Sequence, residues 1–595
     1  MTAVQPAKTT SLQDCVDFVR ERLGRHWVVG APLGLGKPNH LINALYEAAR
    51  ADPSIQLDLF TALSLNPPKP AKGLKQRFLE PFVHRQFGDY PRLAYLADLD
   101  QGTVPANITI SEFYFRSGSR LHDTHAQRHY VSSNYTHVAR DMVAKGINLM
   151  VQMVAADPTR PDYLSLASNP DVTLDLFQRL SRSAMLRIAQ LNEDMPYMGG
   201  DAEVPLDEFD LLLDGQPQRL FAVPRMPVSD PDFLIGLYAS QLIRDGGTLQ
   251  LGIGSLGDAV SYFTVLREQN NDRYRRLCSE ADALIKTSPE LLEDWGGSGP
   301  FKVGIYAASE MFMEGFLHLF NAGVLKRKVY DHAGVQNLLN EGLIGENISK
   351  DILEILWDRG LLPRQLDLET LTWLQVSGIL RSGLSFDSAR ISMRGQEPLA
   401  NDLADPAVRK ALARQVLGKK LTGGAVMHAA FFLGSEWMYQ SLRNLNIEQR
   451  ALFRMTSVTR VNQLMGGEEL DRAQRMEARF INTCMKMTLL GAAVSDQLAD
   501  GQVVSGVGGQ YNFVAMAHAL QRGRSVLMLR SHRGRGSAAE SNLVWEYPHA
   551  TIPRHLRDLV VTEYGIADLR SANDEQVIQR LICVSDSRWQ ESLRQ

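Results

Sequence analysis

The sequence predicts an α/β protein in which mostly parallel sheet is covered by helices. Three observations carry that expectation. A unit of short apolar strand, glycine-rich turn and amphipathic helix recurs along the chain. Two of its glycine turns, far apart in sequence, are built alike. The composition is that of an ordinary globular protein, 44% hydrophobic and 22% charged over 595 residues, which rules out wholesale disorder and fibrous repeats. At about 100–200 residues per domain the length suggests roughly three or four domains, fewer if large α/β units are present.

The first unit is Trp27-Val28-Val29, then Gly30 to Gly36, then a helix through Leu41 and Leu45, with Ile55 to Phe60 as the next strand. Thr248 to Leu251 follows later, then Gly252 to Gly257 and a helix carrying Val260 and Phe263. Lys302 to Tyr306 reads as a strand. The turn Ala307-Ala308-Ser309 should follow, with Ser309 capping a helix that holds Glu310 in its first turn and Phe312, Phe316 and Phe320 on one face. Val503-Val504 reads as a strand entering Gly506 to Gly509, then a helix to Leu520 and the strand Ser525 to Leu529. Leu559 to Thr562 should run into Glu563-Tyr564-Gly565 and another helix.

Gly34-Leu-Gly36-Lys-Pro-Asn-His-Leu and Gly252-Ile-Gly254-Ser-Leu-Gly-Asp-Ala each follow a strand and open a helix, which suggests two related halves. The proline-rich stretch from Phe221 to Pro231 divides them. The expected halves are 12–224 and 225–595, with a helical insertion at about 331–425 inside the second.

Charge and cysteine usage narrow the function. Lys+Arg number 63 and Asp+Glu 67, so a net charge of −4 gives no general attraction to nucleic acid or an anionic membrane. No apolar run reaches the ~18 residues of a membrane span, and Met1 to Lys8 has no apolar core of a leader. Cys15, Cys278, Cys484 and Cys583 stand far apart, which excludes a zinc ribbon or a CxxC pair. A cytoplasmic location is the expectation.

Each motif has a plain structural alternative. Gly252-Ile-Gly254-Ser-Leu-Gly257 is a literal G-x-G-x-x-G, but the next strand is too far on for a compact βαβ unit of ~30 residues. A tight turn, a dinucleotide site and a loop against another ligand all remain open there. Gly34-Leu-Gly36-Lys37 lacks P-loop spacing, and Pro38 removes an N–H that a phosphate cradle needs. His122, His125 and His129 read as a solvated polar helix rather than a metal site, since no acidic or cysteine ligand follows with familiar spacing, and the Arg530–Arg535 element reads as a loop or an anion contact rather than an RNA tract. Glu310 is a candidate nucleophile, since a helix dipole would favour its ionised form, though glutamate in a first turn is common for that reason alone. Gly506-Val-Gly508-Gly509-Gln510 could bind an oxyanion with successive backbone N–H groups.

Taken together, these segments resemble the acetyl-CoA hydrolase/transferase family of class I CoA-transferases, whose relatives include 4-hydroxybutyrate and succinyl-CoA:acetate CoA-transferases. The carriers are Gly252-Ile-Gly254-Ser-Leu-Gly257-Asp-Ala-Val260, Ser309-Glu310-Met311-Phe-Met-Glu314-Gly315 and Ile481-Asn482-Thr483. Ser505 to Phe513 and Val561-Thr-Glu563-Tyr-Gly-Ile-Ala-Asp-Leu-Arg570 follow in family order.

The resemblance implies two related open α/β halves with the active site between them. It implies Glu310 as nucleophile, Gly508 and Gly509 as oxyanion donors, and Asn482 and Glu563 as supporting residues. Gly252, Gly254, Ser255, Gly257, Gly506 and Gln510 would lie along CoA. It further implies an acyl-CoA and a small carboxylic acid as partners, CoA as substrate rather than cofactor, and no metal, with a homodimer among the assemblies open to it. Asn512 stands where the family pattern has Asp. The expected reaction is CoA transfer from a short acyl-CoA to a carboxylic acid through a glutamyl-CoA thioester. Hydrolysis of acyl-CoA with the same glutamate is the alternative, and non-catalytic CoA binding or dinucleotide oxidoreduction are remoter ones.

Overall fold

Apolar-rich runs such as 149–155, in which Gln152 is the one polar residue, are buried on both faces, as strands of a parallel sheet must be. In the computed structural model, which describes residues 6–68, 72–284, 289–393 and 397–595, such runs build two large sheets. The expectation about Met1 to Gln5, and residues 394–396 of the expected insertion, lie outside the described residues.

The first sheet runs, in spatial order, Ala7–Thr9, Leu211–Leu213, Leu186–Leu191, Leu149–Ala156, His26–Gly30, Gln56–Thr61 and Ile108–Glu112. Every pairing along this path is parallel. The second runs Gly565–Asp568, Leu559–Thr562, Arg524–Met528, Ala478–Thr483, Thr248–Leu251, Tyr306–Phe312, Met427–Phe432, Phe453–Met455 and Gly199–Gly200. It is parallel except for the hairpin of its first two strands. Gly199–Gly200 thus joins the second sheet although it lies in the first half of the chain.

Both sheets belong to one compact unit, made of Met1–Lys326, Met427–Met465 and Glu477–Gln595. One face of the first sheet packs on helices Leu12–Leu23, Asn39–Ala51 and Ala94–Gln101 through Trp27, Leu45, Tyr46 and Tyr95. A second core joins Val28, Phe60, Phe113 and Tyr135 to Phe431 and Phe480 of the other sheet and to Phe513 of the helix Gln510–Ala519. That shared core fixes the two sheets against each other, and the candidate site lies beside it.

Residues 327–426 with 466–476 form a separate compact unit. Its helices, among them Ala333–Asn340, Ile352–Asp358, Leu368–Val376 and Pro406–Val416, enclose Val335, Leu338, Leu356, Leu374 and Leu412. It also carries a small antiparallel sheet of Leu384–Phe386, Arg390–Met393 and Leu399–Ala400. No helix among the described residues is long and apolar enough to cross a membrane.

Three local expectations are corrected. Ser309 does not cap a helix. The strand is not Lys302 to Tyr306 but Tyr306–Phe312, because it pairs with Met427–Phe432 as far as Phe312 opposite Phe432, and the helix begins at Glu314. Glu310 and Phe312 are therefore strand residues, and Phe312 is fully buried in the sheet. Val503 makes only an isolated bridge to Gln497. Leu559–Thr562 turns directly back into Gly565–Asp568 as a hairpin, with Gly565 at φ +125°, and the following helix starts only at Asp574.

Candidate active site

Glu310 is set by its strand. Ser309 and Met311 are registered against Ala429 and Phe431 on one side, and Ser309 Oγ donates to the Met311 carbonyl at 3.0 Å. The Glu310 side chain is half-buried by accessible surface, yet protein surrounds its carboxylate. That dense surrounding pushes its pKa up from 4.5 to about 7. Asn462 works against the shift by donating to Oε2 at 2.6 Å, and the charge of Asp171 adds to it. A helix dipole therefore does not hold Glu310 ionised. Its ordinary state near neutrality is a mixture of acid and carboxylate.

The glycine turn faces this carboxylate. Its approach is tied down by Phe115 N–H donating to the Ser505 carbonyl at 2.9 Å and Gly118 N–H to that of Val504 at 2.8 Å. Gly508 adopts φ +58°, and Gly509 opens the helix Gln510–Ala519. A methyl group on Gly509 would fall on Glu310 Oε2 and Asn462 Nδ2, and one on Gly508 would lie 3.9 Å from Glu310 Oε1. The first N–H groups of a helix lack intrahelical partners, so a turn here can offer donors to an anion. A carboxylate, an amide that holds it and a donor-rich glycine turn are the parts that acyl transfer requires.

The other expected site residues fall into three groups. Gly506 is packed so tightly that a Cβ would sit 2.6 Å from the Phe113 carbonyl, and Gln510 Nε2 donates to the Thr483 carbonyl at 3.0 Å. Asn482 exchanges amide hydrogen bonds with Gln250 at 3.2 and 3.3 Å, both at the ends of adjacent strands. Beside them, Gly252 N–H donates to the Ile481 carbonyl and Gly254, at φ +122°, precedes the helix Ser255–Gln269. A Cβ on Gly257 would strike the Gly252 carbonyl, so that glycine closes the turn. Glu563 forms a separate cluster: it is buried, accepts from Ser531 N–H and Oγ at 2.8 and 2.7 Å, and lies 3.6 Å from His532 Nδ1. Asn512, where an acid was expected, donates from Nδ2 to Thr136 Oγ1 at 3.4 Å.

Sequence reasoning missed Asn462, Tyr114, Tyr135 and Asp171. The phenols of Tyr114 and Tyr135 are pushed above their usual range, first by burial and then by neighbouring negative charges that include Glu310. Asn462 ends the short helix Val458–Asn462 after a strand and a Ser457 cap, a pattern visible in the sequence. Its partner, however, lies 152 residues away. The imidazoles of His125 and His129 stack at 4.0 Å, and no group of three or more His, Cys, Asp or Glu side chains suited to a metal occurs among the described residues.

The raised pKa of Glu310 makes a prediction about stability. Below about pH 4.5 the carboxyl is neutral whether the chain is folded or not. Between there and about pH 7 the unfolded chain ionises while the folded one keeps its proton, so stability is lost as pH rises through that window. Glu310→Gln should therefore be more stable than the parent above pH 7, by up to about 3 kcal/mol, and show no gain below pH 4.5. Thermal melts from pH 4 to 8 check this.

The two sheets, with a strand-borne carboxylate opposed by a glycine turn, have the fold of the CoA-transferases. The crystal structure of 4-hydroxybutyrate CoA-transferase from Porphyromonas gingivalis superposes with a TM-score of 0.54 at 16% identity, over 99% of this chain and 96% of that one. RipA from Yersinia pestis superposes with a TM-score of 0.59 at 16% identity, over 99% and 96%.

Residues 434–595 match the acetyl-CoA hydrolase/transferase C-terminal domain. The chain is 22% identical to 4-hydroxybutyrate coenzyme A transferase of Clostridium kluyveri over 439 residues, 74% of this chain and 70% of the relative. It is 33% identical over 104 residues to a succinyl-CoA:acetate/propanoyl-CoA:succinate CoA transferase of Fasciola hepatica, covering 17% and 21% of the two chains.

Proposed function

We propose that this protein moves CoA from a short acyl-CoA to a small carboxylic acid, with Glu310 as the covalent carrier. The observation that carries the reading is the placement of the Glu310 carboxylate against Asn462 and the Gly508–Gly509 turn. The relatives named as CoA transferases support it.

In this reading the Glu310 carboxylate attacks the thioester carbonyl. The tetrahedral intermediate collapses to a mixed anhydride and CoA thiolate. The thiolate then attacks the glutamyl carbonyl and expels the free acid, which leaves a glutamyl-CoA thioester. An incoming carboxylate attacks that thioester, again giving an anhydride and thiolate. The thiolate takes the new acyl group and returns Glu310 as carboxylate. Thioester energy is kept throughout, so no ATP is consumed. N–H donors of the glycine turn would hold each oxyanion, a contribution typically worth about 10²–10³ in rate per donor. The turn at Gly252–Gly257 and the Gln250–Asn482 pair would flank CoA, and its remote nucleotide can supply binding energy used at the carbonyl. Glu563 would support the pocket wall.

The test is partition. Acyl-CoAs crossed with a panel of carboxylates should give parallel double-reciprocal plots, the pattern of a covalent intermediate formed before the acceptor binds. At saturating acetate, succinate or a similar acid, new acyl-CoA should account for nearly all the CoA turned over, with little free thiol. If no acid diverts CoA from water, the protein is an acyl-CoA hydrolase with the same nucleophile.

A further inference from the structure

Away from Glu310, a cavity of about 300 Å³ opens where the edge hairpin of the second sheet begins and ends. Residues 554–558 lead into the strand Leu559–Thr562, and 569–572 follow the strand Gly565–Asp568. The register sets Leu559 opposite Asp568 at this end and Thr562 opposite Gly565 at the other, next to Glu563. Leu559–Thr562 runs parallel to its neighbour Arg524–Met528. The cavity is therefore at the amino-terminal edge of the parallel strands, whereas Glu310, Asn482 and the Gly252 turn stand toward their carboxyl ends.

Cations and bare donors line it. The walls carry Arg554, His555, Arg557 and Arg570 with Ser571 and Ala572, and no carboxylate is among the lining residues. Arg554 Nη2 and Arg557 Nη1 donate to the two oxygens of Asp574, each at 3.0 Å. Arg557 is fixed further by the Leu490 and Ala572 carbonyls at 3.1 and 2.9 Å. Arg570 donates to Asp568 from Nε and Nη2 at 2.8 and 2.6 Å, and it lies over the Trp295 ring together with Arg522 and Arg524. These contacts leave Arg554 Nε and Nη1, Arg570 Nη1 and the His555 ring without a hydrogen-bond partner among the described residues. The remaining nearby acid, Asp558, is 3.9 Å from Arg570, and burial pushes its pKa up, so it offsets the cluster less than an exposed carboxylate would.

The backbone of the wall points to the same kind of ligand. Ser571 adopts φ +51°, a left-handed conformation uncommon outside glycine. It sits in the turn before the helix Asp574–Cys583, and the N–H groups of Ser571 and Ala572 make no hydrogen bond among the described residues. Successive free N–H groups in such a turn form a concavity suited to an anion. The dipole of the helix that follows adds positive potential at this end.

We propose that this cavity binds an oligophosphate anion, inorganic pyrophosphate or the phosphate chain of a nucleotide, at a site separate from the Glu310 centre. Guanidinium N–H groups pair with phosphate oxygens in a fixed fork. Arg554 and Arg570 each keep spare N–H donors, so two linked phosphate groups use both where a lone phosphate or a monocarboxylate uses one. The volume is at the lower end of small-molecule sites, which run from about 300 to 1,000 Å³. The inference stands whether or not Glu310 is a nucleophile.

The test is calorimetric titration of the full chain at fixed ionic strength, with saturating CoA present to fill the candidate active site. Pyrophosphate should bind at one saturable site per chain, about 10-fold or more tighter than orthophosphate. Arg554→Gln and Arg570→Gln should each weaken it by about 10-fold or more, the usual cost of a charge-assisted hydrogen bond. ADP binding more tightly than pyrophosphate would assign the site to a nucleotide, and ADP binding no more tightly would assign it to the inorganic anion. Absence of saturable binding, binding that CoA abolishes, or affinities unchanged in both variants would overturn the proposal. If Arg570→Gln does not melt cooperatively, Arg554→Gln, whose side chain is half-exposed, decides on the same criterion.

Discussion

Glu310→Ala is expected to lower CoA transfer by about 10⁴-fold or more while CoA binding persists. The carboxylate is the only reacting group that the proposed mechanism takes from the protein. Its neighbours, Asn462 and the Gly508–Gly509 turn, are placed on other elements and do not need it to fold. Steady-state transfer assays and calorimetric titration with CoA separate the two effects. Transfer near the parent rate would remove Glu310 from the chemistry. Glu310→Gln should be equally inactive, yet more stable above pH 7, since it trades a costly buried charge for an amide that can still accept from Asn462.

The second large effect is expected at Gly509. Its φ of −101° is open to any residue, so alanine there brings no backbone strain. The added methyl would nevertheless land on the Glu310 carboxylate and the Asn462 amide, and one of them must move. Gly509→Ala should lower kcat by about 10²–10³ with little change in melting temperature. Gly508 offers the contrast. Its φ of +58° is left-handed, and a Cβ there meets nothing closer than 3.8 Å. Gly508→Ala should therefore act mainly on stability, costing about 1–2 kcal/mol, with the smaller loss of kcat. The two variants compared by kinetics and melting check the assignment. A Gly509 variant whose activity falls only with its folded fraction would make that glycine merely structural.

The strand–turn–helix units were legible because parallel strands buried on both faces read as apolar runs, and Trp27 to Phe60 and Thr248 to Phe263 fold as their patterns suggest. The end of the Glu310 strand was not. Ser309-Glu310 carries the residues of a helix cap, and only pairing with Met427–Phe432, more than a hundred residues on, draws the strand through Phe312. That one difference reverses the electrostatics, from a dipole-stabilised carboxylate to one made hard to ionise by its surroundings. The identity of Glu310 came from a motif, whereas its environment depends on residues brought in by tertiary structure. Asn462 follows the compact unit of 327–426 in sequence, and Tyr135 and Asp171 come from the other sheet's half of the chain. No local spacing links them. Glu563 was legible as a strand-end residue, but the hairpin at Gly565 gives it Ser531 and His532 as neighbours.

The central claim is that Glu310 carries CoA covalently, and the direct measurement is the mass of its peptide. The enzyme is incubated with acyl-CoA and no acceptor, quenched in acid and digested. The account predicts CoA attached through a thioester at Glu310, released by hydroxylamine as free CoA with a hydroxamate left on that residue, and absent from Glu310→Gln. Full turnover with no adduct, or an adduct on any other residue, would contradict it.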